Sequence, residues 1–294
     1  MIGTQTASTQ SDLCYELQSV STLIEEYGGQ QVATIHEHQI RALHQSFKRS
    51  IPDIHRLALK QGILPMRYLR NHSTISVQEQ SLLAQKRVAV IGAGGLGGQV
   101  LLSLARIGVG HLLVLDPGRF DESNLNRQAL CTPACLGLPK AQVAKCVLEE
   151  LNPAVRVQAH PLRLTSDNRS EFLSQVDVVV DALDSIQDRF VLETGAKEAG
   201  IPMVHAAIDG FVGQLLTIFP QDQGLSLIYG QPQGEEPPSP LGNLPMTAHS
   251  LATLQAMEVI KILLGRGKLY RREMLAMELE EGLVDRFSFS GDAR

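Results

Sequence analysis

The sequence predicts an α/β protein: a Rossmann-like, doubly wound, mostly parallel sheet preceded by a helical N-terminal extension. Three observations carry that prediction. An apolar run at residues 87–91 ends in the turn Gly92-Ala93-Gly94-Gly95-Leu96-Gly97. Beyond it, strand-sized apolar runs alternate with helix-period segments, the pattern of βαβ units. Residues 1–64 lack that alternation and read as polar helices. The boundary is drawn there, with 65–294 as the second unit.

In the extension, Ser11 and Asp12 start a helix running to about Glu26, stopped by Gly28 and Gly29. Residues 30–50 place Val32, Ile35, Ile40, Leu43 and Phe47 at roughly helical spacing. Pro52 opens a third helix ending near Gly62. His36, His38, His44 and His55 fall in this region and read as solvated side chains. His36 and His38 are two apart and share no helical face.

Next come a strand at 87–91, a helix at 99–107, a strand at 111–115 and a helix at 140–151. A strand at 155–160, a helix at 166–175 and a strand at 176–180 follow. The last of these is apolar except for Asp177, close to the pattern of a strand buried on both faces. A helix at 188–198, a strand at 202–206 and a strand at 213–219 near the sheet edge complete the series. Residues 221–246 are rich in Gly, Pro and Gln and read as a long loop, a feature that tends to be functional inside a compact domain. A helix at 247–264 precedes one or two final strands, including 275–279, and a frayed end.

Composition excludes several classes. The chain has 294 residues, 44% hydrophobic and 19% charged, with net charge −5. No basic block marks a nucleic-acid binder. No apolar run is long enough to span a membrane, and the polar start has no signal-peptide pattern. The cytoplasm is the expected compartment. Four cysteines, Cys14, Cys131, Cys135 and Cys146, make neither a disulfide framework nor two metal-binding pairs, so they read as reduced thiols.

The chemistry-bearing residues cluster at strand ends. Gly92, Gly94, Gly95 and Gly97 follow a strand and open a helix, so the backbone can approach a phosphate at a helix N-terminus. Asp116, ending the next strand, is placed to accept ribose hydroxyls, which fits NAD, FAD or ATP. Arg127 and Lys140 favour a triphosphate: their charges suit β- and γ-phosphates and a leaving pyrophosphate. Asp184 ends the buried strand, where doubly wound sheets bind ligands, and its carboxylate suits Mg²⁺ on the phosphates. Arg189 is expected to pair with Asp188 or Asp184.

With those residues in place, the chain resembles the ThiF/MoeB/HesA group, relatives of the ubiquitin-activating enzymes. The resemblance runs from about Arg67 to Gly265. It rests on Arg67-Tyr68-Leu69-Arg70, on Ser76 with Glu79, Gln80 and Leu83, and on GAGGLG and SNLNRQ. The GLPK stretch and the LQAMEVIK helix complete it. The resemblance implies ATP-dependent adenylylation of the C-terminal carboxylate of a small ubiquitin-like (β-grasp) sulfur carrier ending in Gly-Gly. It implies phosphate contacts from Asn124, Arg127 and Lys140, and an Asp184 that binds Mg²⁺ or orients the attacking carboxylate. It implies a homodimer in which Arg70 reaches the neighbouring subunit's ATP.

Three departures accompany the resemblance. No cysteine follows Cys146, so the structural zinc of many members is not expected. The loop at 221–246 also lacks the cysteine that some members use covalently. Ser185 stands where the group commonly has Asn. Three alternatives remain: a non-catalytic nucleotide-binding module that recognises a partner, adenylylation of a peptide or tRNA, and an NAD-dependent oxidoreductase. The last lacks an acid/base set, and low basic content weighs against tRNA.

Overall fold

The computed structural model describes residues 10–25, 29, 31–230 and 241–289. The polar start, the stop at Gly28, the middle of the loop at 221–246 and the frayed end lie outside the described residues.

The N-terminal part runs α1 (Gln10–Val20), β1 (Thr22–Glu25), β2 (Gln31–Ile35), α2 (Glu37–Phe47), α3 (Ile51–Lys60) and β3 (Leu64–Pro65). It is therefore not purely helical. The first expected helix stops at Val20, and two strands occupy residues the sequence reading gave to helices. The cause is local: Thr22, Ile24, Val32, Thr34 and Ile35 are β-branched, and such side chains favour a pleated backbone. β2 pairs antiparallel with β1 and parallel with β3. Leu13 and Leu17 of α1, Ile40 and Leu43 of α2, and Ile54 and Ala58 of α3 close a separate small core with Ile35 and Ile63. His55 is buried here, only 2% exposed, contrary to the solvated reading.

A 3-10 helix (Met66–Asn71) and α4 (Val77–Leu83) lead into the main sheet. Ser76 and Glu79 cap α4 reciprocally. The chain then alternates through β4 (Arg87–Ile91), α5 (Gly95–Ile107), β5 (His111–Leu115), α6 (Lys140–Leu151), β6 (Arg156–His160) and α7 (Arg169–Leu173). It continues through β7 (Val178–Asp181), α8 (Ile186–Ala199), β8 (Met203–Asp209) and β9 (Val212–Ile218). α9 (Ser226–Tyr229), α10 (Pro245–Leu264), β10 (Glu273–Glu278) and β11 (Leu283–Ser288) end the described chain.

The strand order is β11-β10-β9-β8-β7-β4-β5-β6. Strands β6, β5, β4, β7 and β8 are mutually parallel, and β9, β10 and β11 add on antiparallel. β9 is thus interior, third from the edge, because the C-terminal hairpin extends the sheet two strands beyond it. Alternate residues of β4 feed opposite cores. Val88 and Val90 pack with α4, α5, α6 and α10, while Ala89 and Ile91 pack with α7 and α8. The chain leaves β4 for β5 and β6 on one side and crosses to β7 and β8 on the other. The carboxyl ends of β4 and β7 therefore form the topological switch point, where such sheets open a ligand crevice.

Candidate nucleotide-binding site

A cleft of about 560 Å³ opens at that switch point. Gly92, Gly94, Gly95, Asp116, Arg127, Lys140 and Asp184 line it together. These residues come from the ends of three strands, the long β5–α6 connection and the start of α6.

The glycine turn is enforced by contact. Gly92 has φ +99°, and a Cβ there would sit 2.4 Å from Ala182 O. Gly97 does not line the cleft: a Cβ there would lie 1.8 Å from Gly92 O, so its role is to let α5 press against the turn. Gly94 caps α5 without a side chain, leaving the first amide groups of α5 open toward the cleft.

Asp116, 7% exposed, accepts from Ala93 N and Gly118 N, each at 2.7 Å. Each carboxylate oxygen keeps an acceptor position beyond those bonds. The residue thereby ties the turn after β5 to the glycine turn after β4.

The cations divide into compensated and uncompensated groups. Arg163 is held by Asp188 at 2.6 Å, and Arg189 by Asp181 at 3.9 Å. Among the described residues, Arg127 donates only to neutral oxygens, Ser123 O at 3.0 Å and Asn126 Oδ1 at 2.9 Å. Lys140 lies 6.0 Å from the Phe120 ring centroid. Among the described residues, neither Arg127 nor Lys140 forms an ion pair. Two positive charges thus face the cleft beside the open end of α5, an arrangement suited to a polyanion.

Asn124 does not line the cleft. It is buried, and its Oδ1 accepts from Asp121 N at 3.2 Å, closing the 3-10 turn that presents Arg127. Arg70 is also outside the cleft. Its 3-10 helix packs at the far end of α5, where Tyr68 meets Gly108 and bonds Asn152. α5 has 13 residues, about 20 Å of helix, between that end and the glycine turn. Arg70 is exposed and has no hydrogen bond or ion pair among the described residues.

Asp184 is exposed at the cleft and has no hydrogen bond or ion pair among the described residues. No group of three His, Cys, Asp or Glu side chains among the described residues could hold a metal ion. A lone carboxylate does fit a Mg²⁺ that arrives on a triphosphate and keeps most of its waters. Ser185, the departure from the expected Asn, caps α8 by accepting from Asp188 N at 3.3 Å.

Arg189 pairs with neither Asp188 nor Asp184. Its guanidinium donates to Leu183 O at 2.8 Å and Tyr229 Oη at 2.9 Å, and sits beside Asp181. Asp181 and His205 are both fully buried and bonded at 2.7 Å. Burial pushes the Tyr229 hydroxyl up, so it stays protonated at neutral pH. The sequence reading missed His205, Gln214 and Tyr229. A histidine within the apolar run Met-Val-His-Ala-Ala was the available signal, because a buried polar group demands a partner.

The ThiF family model matches residues 68–292. The chain is 39% identical over 219 residues to "Sulfur carrier protein adenylyltransferase" of Thermus thermophilus, covering 71% of this chain and 78% of that one. It is 36% identical over 202 residues to "SAMP-activating enzyme E1" of Haloferax volcanii, covering 66% and 73%. It is 35% identical over 216 residues to "Probable adenylyltransferase/sulfurtransferase MoeZ" of Mycobacterium tuberculosis, covering 70% of this chain but only 55% of that protein. The crystal structure of E. coli MccB shares the fold, with TM-score 0.67 and 19% identity over 76% of this chain and 69% of that one. Among the described residues, no helix is long and apolar enough to cross a membrane.

Proposed function

Because the chain belongs to the ThiF family, we propose that it is an adenylyltransferase that uses ATP to activate the C-terminal carboxylate of a ubiquitin-like sulfur-carrier protein. The observation that carries this reading is the convergence of the glycine turn, Asp116, Arg127, Lys140 and Asp184 in one cleft, with Arg127 and Lys140 unpaired by any carboxylate among the described residues. A dinucleotide has no need of those two charges there; a triphosphate that must part with pyrophosphate does.

The acceptor is a small β-grasp protein ending in Gly-Gly. Its terminal carboxylate is already ionised at neutral pH, so the reaction needs no general base. The carboxylate attacks the α-phosphorus, the bond to the bridging oxygen breaks, and pyrophosphate leaves with its charge. Gly94, Gly95 and the start of α5 cradle phosphate, and Asp116 holds the ribose. Arg127 and Lys140 balance the charge that grows on the leaving group. Asp184 would hold a Mg²⁺ carried by the triphosphate, and that ion would supply further charge neutralisation. The loop at 221–246 holds no cysteine, so the proposed reaction forms no covalent intermediate on that loop.

Arg70 is proposed to act on the ATP of a partner subunit in a homodimer. Its position about one α5 length from its own cleft, exposed and without a bonding partner among the described residues, supports that assignment.

The test is ATP–pyrophosphate exchange in the presence of a Gly-Gly-tailed carrier. Exchange should require the carrier and fall about 10²–10³-fold in Arg127→Ala and in Asp184→Ala. Full exchange in both variants overturns the site. Calorimetric ATP binding without exchange against any such carrier favours a nucleotide-holding recognition module instead.

A further inference from the structure

Beneath the cleft, five polar side chains from five elements form one chain of contacts. Asp181 ends β7, Arg189 lies on α8, His205 on β8, Gln214 on β9 and Tyr229 on α9. The distances are Asp181 Oδ2–His205 Nδ1 2.7 Å, His205 Nε2–Tyr229 Oη 3.2 Å, Gln214 Nε2–Tyr229 Oη 2.6 Å and Arg189 Nη1–Tyr229 Oη 2.9 Å.

With the Gln214 amide nitrogen turned to Tyr229, and also 3.4 Å from His205 Nε2, the contacts follow one direction. Guanidinium and amide nitrogens can only donate, so Arg189 and Gln214 both give to the Tyr229 oxygen. The Tyr229 hydrogen then goes to His205 Nε2, which must accept. In this direction His205 donates from Nδ1 to Asp181 and accepts at Nε2.

The far end of this chain is the turn that presents Asp184. Asp181 Oδ1 accepts from Leu183 N at 3.0 Å, Arg189 donates to Leu183 O, and Gln255 donates to Asp181 O at 2.7 Å. We propose that His205 and Tyr229 are positioning residues that lock the Asp184 turn to the short helix α9, so that the reactive geometry of the cleft depends on α9 being seated. The proposal rests on the adenylyltransferase reading. Neither residue lines the cleft; both act through Asp181 and Arg189.

The experiment compares Tyr229→Phe, His205→Asn and His205→Leu in exchange and in ATP calorimetry. Tyr229→Phe removes only the hydroxyl. His205→Asn keeps a donor toward Asp181 but breaks the link to Tyr229. Both should lower kcat about tenfold, with ATP affinity within about twofold of the parent. His205→Leu removes the donor to Asp181 and should lower kcat about a hundredfold. The ordering Asn above Leu is the rescue a merely space-filling role would not give.

Should His205→Leu fail to fold, the two near-isosteric variants decide. Parental kcat in both, or a loss of ATP affinity equal to the loss of kcat, overturns the proposal. Failure of the functional reading is separate: the parent protein would then bind ATP and exchange nothing. In that event amide hydrogen exchange still reads the lock. Leu183 and residues 226–230 should exchange faster in Tyr229→Phe than in the parent with ATP bound, and equal rates overturn the lock.

Discussion

At the scale of single residues, the clearest consequence of burial outside the cleft falls on His55. Its two ring nitrogens have no hydrogen-bond partner among the described residues. Burial, with Arg67 nearby, lowers its pKa from 6.5 to about 3. Glu37 Oε2 lies 4.0 Å from Nε2, but the imidazole is neutral near pH 7 and that contact is no ion pair. Between about pH 6.5 and 3 the unfolded chain therefore holds a proton on this residue that the folded chain does not. Stability must rise with pH through that window and fall as pH drops, by at most ~1.4 kcal/mol per pH unit. His111, lowered to about 4 by burial and by Arg87 and Arg156, acts in the same direction. Replacing His55 by Leu should flatten the dependence and leave the weaker contribution of His111. It should also add about 1 kcal/mol at pH 7, because two unsatisfied polar atoms are removed. Urea midpoints of parent and His55→Leu across pH 4–8 provide the check; parallel curves would refute the neutral buried state.

At the scale of elements, what was legible followed from periodicity plus punctuation. β4, β5 and α6 could be bounded from the sequence because apolar runs ended at Gly92, Asp116 and Asn152. The cleft residues were legible for the same reason, since they sit where those runs stop. The N-terminal strands were not. Val32 and Ile35 are three apart, a spacing that also fits a helix, and only the β-branched composition and the neighbouring Gly28-Gly29 pointed to a hairpin. The relay under the cleft was invisible because its members are spread over five elements that only the sheet order brings together. Leu64 sits at the joint between the N-terminal part and the rest. Leu64 of β3 sits opposite Thr34 of β2, is fully buried, and packs with Val32, Leu59, Tyr68 and Val77. Arg67 adds a second link, donating to Glu37 at 3.0 Å and to Leu151 O at 3.1 Å. Leu64→Ala should therefore cost about 2–5 kcal/mol and lower the unfolding midpoint of the whole chain. Leu17→Ala, in the separate small core, should loosen only the first helices in hydrogen exchange. An unchanged midpoint in Leu64→Ala would mean that the N-terminal part is merely tethered.

At the scale of the whole molecule, the cleft lacks a cation that the sequence resemblance assigns to it. Arg70 belongs to the 3-10 helix at the far end of α5, and no reorientation of its side chain spans about 20 Å. Either it has no part in the reaction, or it serves a cleft on another copy. Symmetry makes these alternatives separable. In a two-fold dimer each site would combine Asp184 of one chain with Arg70 of the other. Arg70→Ala and Asp184→Ala homodimers should then both be inactive, since every site lacks one group. Mixing the two forms heterodimers with one site missing both groups and one site missing neither. Random exchange of subunits makes half the dimers mixed, so about a quarter of the parental exchange activity should return. If Arg70 served its own chain, every site in the mixture would still lack a group and nothing would return. If Arg70 were only a surface charge, the Arg70→Ala protein would be active before mixing. Size-exclusion of the mixture, with one variant tagged, confirms that subunits exchanged. The recovered fraction then states which chain supplies Arg70 to each cleft.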